Sequence, residues 1–207
     1  YTGINEGLVL ITADDPGMHS SQNEQDNRYY ARLAQIPMLE PASSQDAKDF
    51  TKLAYQISEE FDTPVLLRLT TRICHGKGIV EMQDREDIED KGYKKDPQKY
   101  VMIPANARKR HVIVKERNAK LSNFVESVAV NKVEQGSSDI GIISSGVAYQ
   151  YAKEAMPEAS FLKLGMPNPL PIKMIESFIE KHQTVYVVEE LEPFLEWSGG
   201  AMLSRFD

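Results

Sequence analysis

The chain has 207 residues and a mass of 23.4 kDa, with 41% hydrophobic and 27% charged residues, one cysteine (Cys74) and a formal net charge of −7. That is room for one large domain or two small ones of ordinary globular composition. A single cysteine excludes an internal disulfide framework, zinc cluster or iron–sulfur centre, the acidic balance argues against nucleic acid as main partner, and no apolar run nears the roughly 18 residues of a membrane span.

In chain order, residues 7–78 read as alternating strands and helices, the pattern of a parallel sheet covered by helices. Leu8-Val9-Leu10-Ile11 is a short apolar run that ends at Asp14-Asp15-Pro16-Gly17, a strand leaving a sheet into a polar turn. A helix is expected from about Asn23 to Gln35, then a short strand over Met38 to Glu40. Ser43 with Asp46 three residues on has the form of a capping box, and Ala47, Phe50, Leu53, Ala54, Ile57 and Phe61 follow at helical spacing. Pro64 to Leu69 is the next strand.

Residues 81–112 lack a convincing period, and their charge changes sign from Asp84, Glu86, Asp87, Glu89 and Asp90 to Lys91, Lys94, Lys95 and Lys99, as in a solvated connector. A helix is expected from about Lys115 to Glu134, ended by Gly136. Strands at Ile140 to Ile143, Ser160 to Leu164 and Val185 to Val188, with helices at Val147 to Met156 and Ile172 to Lys181 between them, make a βαβαβ unit. The organisation expected is therefore a first α/β part over residues 1–80, a linker over 81–112, a second α/β part over 113–196 and a divergent tail over 197–207.

The densest polar cluster follows the first strand, where open α/β sheets bind ligands. From it Asp14, Asp15, His19, Ser20, Ser21, Gln22 and Asn23 are the candidate substrate- or cofactor-facing residues. His19, Ser20, Ser21, Gln22 and Asn23 are natural donors to a carboxylate or carbonyl, whereas Asp14 and Asp15 would repel an anion unless a cation or proton intervened. No Gly-x-Ser-x-Gly elbow, dinucleotide fingerprint or chelating His register is present. Ser144-Ser145-Gly146 reads as a structural strand-to-helix turn, Cys74 as a semi-buried cysteine at a junction, and Gly165 to Pro171 as a stiff turn that touches another domain or positions the next helix.

Taken together, ADDPGMHSSQNEQDNRYYA (Ala13 to Ala31), IPMLEP (Ile36 to Pro41), PVLLRLTTR (Pro64 to Arg72) and VYVVEELEPFLE (Val185 to Glu196) resemble the α subunits of the 2-oxoacid:ferredoxin oxidoreductase family, within it the branch acting on indolepyruvate. The resemblance implies a partial thiamine pyrimidine-type domain followed by a transketolase C-terminal-like domain. It implies oxidative decarboxylation of aryl-2-oxoacids with thiamine diphosphate and Mg²⁺, coenzyme A accepting the acyl group, and electrons passing through iron–sulfur clusters to ferredoxin. The cofactor machinery would lie on the remainder of the α subunit and on a β subunit, so the chain is expected to be an inactive internal piece of a cytoplasmic enzyme. Uncovered sheet edges in such a piece would favour self-association. The rival expectation is a free-standing α/β module that binds a small anion or a protein partner.

Overall fold

The structure, a computed structural model, describes residues 1–19, 21–88 and 90–196; the expected tail over 197–207 lies outside them. Two sheets organise it. The first is all parallel in the order β1-β3-β2, with β1 Val9–Asp14, β2 Met38–Leu39 and β3 Val65–Thr70. The second runs β4-β6-β5-β7, with β4 Asn131–Glu134, β5 Ile140–Ser145, β6 Ser160–Leu164 and β7 Thr184–Val188. Within it β5, β6 and β7 are parallel and β4 is antiparallel to β6. The chain is thus an α/β protein built on parallel sheets, as expected.

Helices α1 Arg28–Ala34, α2 Ser44–Phe61 and α3 Thr71–His75 belong to the first sheet, α4 Pro97–Tyr100 and α5 Pro104–Phe124 to the crossing, and α6 Gly146–Ala155 and α7 Ile172–Ile179 to the second sheet. α2 is the expected amphipathic helix and buries Phe50, Ala54 and Ile57. Its capping box is real but shifted: Ser43 Oγ accepts from the Asp46 N–H at 3.0 Å, while the Asp46 carboxylate accepts from the N–H of Ala42, not Ser43, at 3.0 Å.

Three helix or strand expectations need correction. α1 begins at Arg28, not Asn23, because residues 23–26 have no apolar face to bury and the Asn27 N–H is taken by the Asp14 carboxylate at 2.7 Å. α5 begins at Pro104, inside the stretch read as connector, and ends at Phe124. Its buried side is Arg110, Val114, Arg117 and Leu121, a helical spacing half made of arginines and so invisible to a hydrophobic period. Arg110 donates to the Tyr1 carbonyl at 2.8 Å and to Asp62 at 3.0 Å, and Arg117 to the Asp62 carbonyl at 2.9 Å.

The end expected for that helix is instead the edge strand β4, in which Val133 is the one apolar residue. Asn131 organises it: the buried amide accepts from the Met166 N–H at 2.8 Å and donates to the Val125 carbonyl at 3.2 Å. Gly136 ends no helix. It lies after β4, where a Cβ would stand 2.3 Å from the carbonyl oxygens of Glu158 and Ala159.

The two sheets share their core. Met38 and Leu66 of the first pack with Ile143, Leu162, Phe178 and Phe194 of the second half. A second cluster joins Leu39, Phe50, Ile57 and Leu67 to Leu121 of α5. The Gly165 to Pro171 turn is the backbone weld between the sheets. Met38 N–H donates to the Asn168 carbonyl at 2.9 Å, Asn168 Nδ2 to the Ile36 carbonyl at 2.7 Å, and Glu40 N–H to the Gly165 carbonyl at 2.9 Å. Among the described residues no helix is long and apolar enough to cross a membrane.

Candidate functional site

The carboxyl ends of β1, β2, β3 and β5 converge on a buried ionic centre. Arg68 interrupts β3, whose other side chains are apolar or threonine, and is 1% exposed. Its Nε donates to Asp14 Oδ2 at 2.7 Å and its Nη1 to Glu40 Oε1, while Glu40 Oε2 accepts from Ser145 Oγ at 2.9 Å. Burial works against the Arg68 charge, and Glu40 and Asp14 outweigh it, so its pKa lies above the ordinary value. Gly146 passes over Glu40 with φ +54°, and a Cβ there would come within 2.7 Å of Glu40 Oε1. Ser144 Oγ donates to the Val188 carbonyl at 2.6 Å, so both serine hydroxyls of this turn are in structural use. Asp14 Oδ1, Arg68 Nη2 and Thr70 Oγ1 are buried without a hydrogen-bond partner among the described residues.

A second guanidinium clamps the loop to the other sheet. Arg28, also 1% exposed, holds Asp26 through Nε at 2.8 Å and Nη2 at 2.5 Å, Glu189 at 2.7 Å, and the carbonyls of Glu190 and Glu192 at 2.8 and 2.7 Å. The Phe194 ring lies 5.2 Å from its guanidinium carbon. Burial opposes this charge too, and the Asp26 hydrogen bond with the charges of Glu40, Asp26 and Glu189 overcomes it, raising the Arg28 pKa.

Above these two clamps the loop turns sharply: Gly17, Met18 and His19 have φ of +72°, +64° and +29°. Left-handed backbone at two successive non-glycine residues is costly and persists where surroundings impose it. Asp15 anchors the turn by accepting from Ser21 Oγ and Thr71 Oγ1, and these two hydrogen bonds hold its carboxyl below the ordinary range. Gly17 N–H donates to Glu24 Oε1 at 2.8 Å.

The result is an open groove of about 410 Å³ between the sheets, with Pro16, Gly17, His19 and Arg72 on one side and Tyr151 and Glu190 on the other. It adjoins a hollow of about 540 Å³ lined by His19, Thr71, Arg72, His75 and Gly76. Burial pushes the Glu190 carboxyl upward in pKa. A separate hollow of about 440 Å³ between α2 and residues 83–88 gathers no group from the strand ends, so the chemistry is placed in the groove.

Of the residues expected at the site, His19 lines the groove. Asp14 lies beneath it as a partner of Arg68, fully buried, and Asp15 and Ser21 are turned toward each other behind it. Gln22 and Asn23 are exposed, Asn23 donating to the Glu24 carbonyl at 3.2 Å; Ser20 lies outside the described residues. Arg72, Tyr151 and Glu190 line the groove and His75 the adjoining hollow without having been singled out for it, and the signal within reach was Arg68, a charge in an otherwise apolar strand. Cys74 is exposed and free, not semi-buried, because the short helix α3 turns it outward; partial desolvation of its sulfur and the Asp15 charge push the thiol upward, the reverse of activation. Among the described residues no group of three or more His, Cys, Asp or Glu is placed to hold a metal ion.

Comparisons with known proteins fit this geometry. The family described as "Pyruvate flavodoxin/ferredoxin oxidoreductase, thiamine diP-bdg" matches residues 12–136. "Indolepyruvate oxidoreductase subunit IorA" of Archaeoglobus fulgidus is 42% identical over 98% of this chain, and that of Pyrococcus horikoshii is 44% identical over 95%. The chain spans about a third of the length of these curated relatives, 33% and 32% respectively. A solved 2-oxoglutarate:ferredoxin oxidoreductase from Magnetococcus marinus shares the fold with a TM-score of 0.63 at 14% identity, over 93% of this chain and 43% of that one.

Proposed function

Because the chain belongs to the pyruvate flavodoxin/ferredoxin oxidoreductase family, we propose that it forms one wall of the thiamine site in a 2-oxoacid:ferredoxin oxidoreductase that oxidatively decarboxylates aryl-2-oxoacids such as indolepyruvate. Coenzyme A accepts the acyl group and ferredoxin the electrons. The remainder of the α subunit and a β subunit carry Mg²⁺ and the iron–sulfur clusters, and the assembled enzyme works in the cytoplasm. The division read from sequence fits this assignment: residues 1–80 as the end of a pyrimidine-type domain, 113–196 as a transketolase C-terminal-like domain.

The observation that carries this reading is the groove at the carboxyl ends of the strands, where His19, Arg72 and His75 gather beside a polar loop. Thiamine diphosphate, when bound, supplies the electron sink for decarboxylation; the protein binds and orients. The residues present fit one wall of such a site. Arg72, with no ion pair among the described residues, and His19 offer donors to the substrate carboxylate. Tyr151 offers an aromatic face, and the Glu190 carboxyl, its pKa raised by burial, sits across the groove.

Asp14 is paired with Arg68 beneath the groove and Asp15 is held by Ser21 and Thr71 behind it, so neither carboxylate is turned toward an anionic substrate. In the assembled enzyme, Arg72→Ala and His19→Ala are expected to raise KM for indolepyruvate about 10-fold or more, the worth of one charge-assisted hydrogen bond, with an unchanged circular dichroism spectrum. Unchanged KM in both variants overturns the placement of substrate in this groove.

A further inference from the structure

The face of the first sheet that meets the second changes character along its strands. At Met38 and Leu66 it is apolar and belongs to the shared core; two residues on it turns polar, with Glu40, Arg68 and then Thr70. Side chains alternate along a strand, and in the β1–β3 ladder Thr12 lies beside Arg68 and Asp14 beside Thr70, so all four project from this same face.

Glu40 answers Arg68 directly, but four atoms of the patch do not find each other. Thr12 Oγ1, Asp14 Oδ1, Arg68 Nη2 and Thr70 Oγ1 are shut off from solvent and have no hydrogen-bond partner among the described residues. Asp14, Arg68 and Thr70 are 0%, 1% and 2% exposed. Thr70 is the N-cap residue of α3, a position from which a threonine hydroxyl ordinarily accepts from the helix backbone, yet its side chain makes no such bond. Buried polar groups in folded proteins are almost always paired, with protein or with ordered water, and four unpaired atoms on one patch of sheet mark a shared partner.

The chemistry of the four atoms narrows what joins them. Arg68 Nη2 only donates, the Asp14 carboxylate only accepts, and the two hydroxyls do either, so the partner both donates and accepts. Asp14 and Glu40 repel an anion, and the guanidiniums of Arg68 and Arg28 repel a cation, so the partner is neutral. Neighbouring strands stand about 4.8 Å apart, which leaves space for a molecule the size of water between side-chain tips. Because the four atoms are shut off from the surface, a side chain from outside these residues does not reach them.

We propose that Thr12, Asp14, Arg68 and Thr70 build an internal hydration site beneath the groove, holding about one or two ordered waters. Water bound there gives Asp14 Oδ1 its donor, while Asp14 Oδ2 accepts from Arg68 Nε and from the Asn27 N–H at the foot of α1. Both oxygens of one carboxylate then fasten the polar loop to β3. The site belongs to the sheet and stands whether or not the groove takes a 2-oxoacid.

A crystal structure of the assembled enzyme fine enough to show ordered solvent is expected to place a water within hydrogen-bond distance of Asp14 Oδ1 and Arg68 Nη2, with a threonine hydroxyl as third partner. No water at that position, whether because the four atoms bond one another or because an ion or another side chain takes the place, overturns the proposal. Thr70→Val keeps the shape and removes the hydroxyl. Loss of a partner for the water is expected to speed unfolding of the enzyme in urea about 5-fold, whereas deleting a hydroxyl that bonds nothing leaves the rate unchanged or slows it. The second result counts against the site. Should the variant fail to assemble, the ordered solvent of the unsubstituted enzyme still decides.

Discussion

Arg68 balances two carboxylates that bulk water does not reach. Replacing it by methionine keeps much of the volume but leaves Asp14 and Glu40 buried without their cation, which costs about 3–5 kcal/mol for a broken buried pair. Urea denaturation of Arg68→Met is expected to show that loss. Asp62 works at the surface end of the same half: burial alone would raise its pKa, but Lys99, the Ile4 N–H and Arg110 outweigh burial and hold it below the ordinary carboxylate value. A depressed carboxyl stabilises the fold fully above its unfolded pKa, about 3.9, and loses that contribution as pH falls through its lower folded value. Glu190 has the opposite sign, since its raised pKa makes stability fall as pH climbs from the ordinary value to the folded one. Unfolding midpoints measured against pH should therefore flatten on the acid side in Asp62→Asn and rise near neutrality in Glu190→Gln.

At the scale of elements, legibility followed the apolar period. The strands β1, β3, β5, β6 and β7 and the helices α2, α6 and α7 have apolar runs or stripes, and each stands within a few residues of its expected place. α5 and β4 do not: one face of α5 is held by arginines reaching Asp62 and Tyr1, and β4 is held by its ladder to β6 and by the Asn131 side chain. Interactions between residues some 27 to 109 positions apart leave no local pattern. The site divided the same way. The loop after β1 was readable because a run of hydrogen-bonding residues follows a strand, while Arg72 reaches the groove through the pairing of β3 with β1, and Tyr151 and Glu190 through packing of one sheet on the other. The cap of α2 is readable and testable: Ser43→Ala should cost about 1 kcal/mol, measured by urea or thermal denaturation, since the Asp46 N–H then loses its acceptor.

For the whole molecule, the shared core decides how the halves behave. Met38 and Leu66 are buried against Ile143, Leu162 and Phe194, so the two sheets are joined through one shared core cluster, and unfolding should be one cooperative transition. Between them nearly every described residue from 76 to 96 is exposed, Ile79 by 98% and Met82 by 85%, with lysines at 77, 91, 94 and 95. Trypsin at low dose is expected to cut there first, and the two products should still elute together on gel filtration under native conditions.

That expectation turns the connector from a tether into punctuation. The Met38–Asn168 and Glu40–Gly165 hydrogen bonds and the three that Arg28 donates to Glu189 and to the carbonyls of Glu190 and Glu192 are all made across space, none through residues 76–96. A gene broken at this point into two reading frames would yield polypeptides that find each other by the same contacts, so the covalent continuity of the chain is a convenience of synthesis.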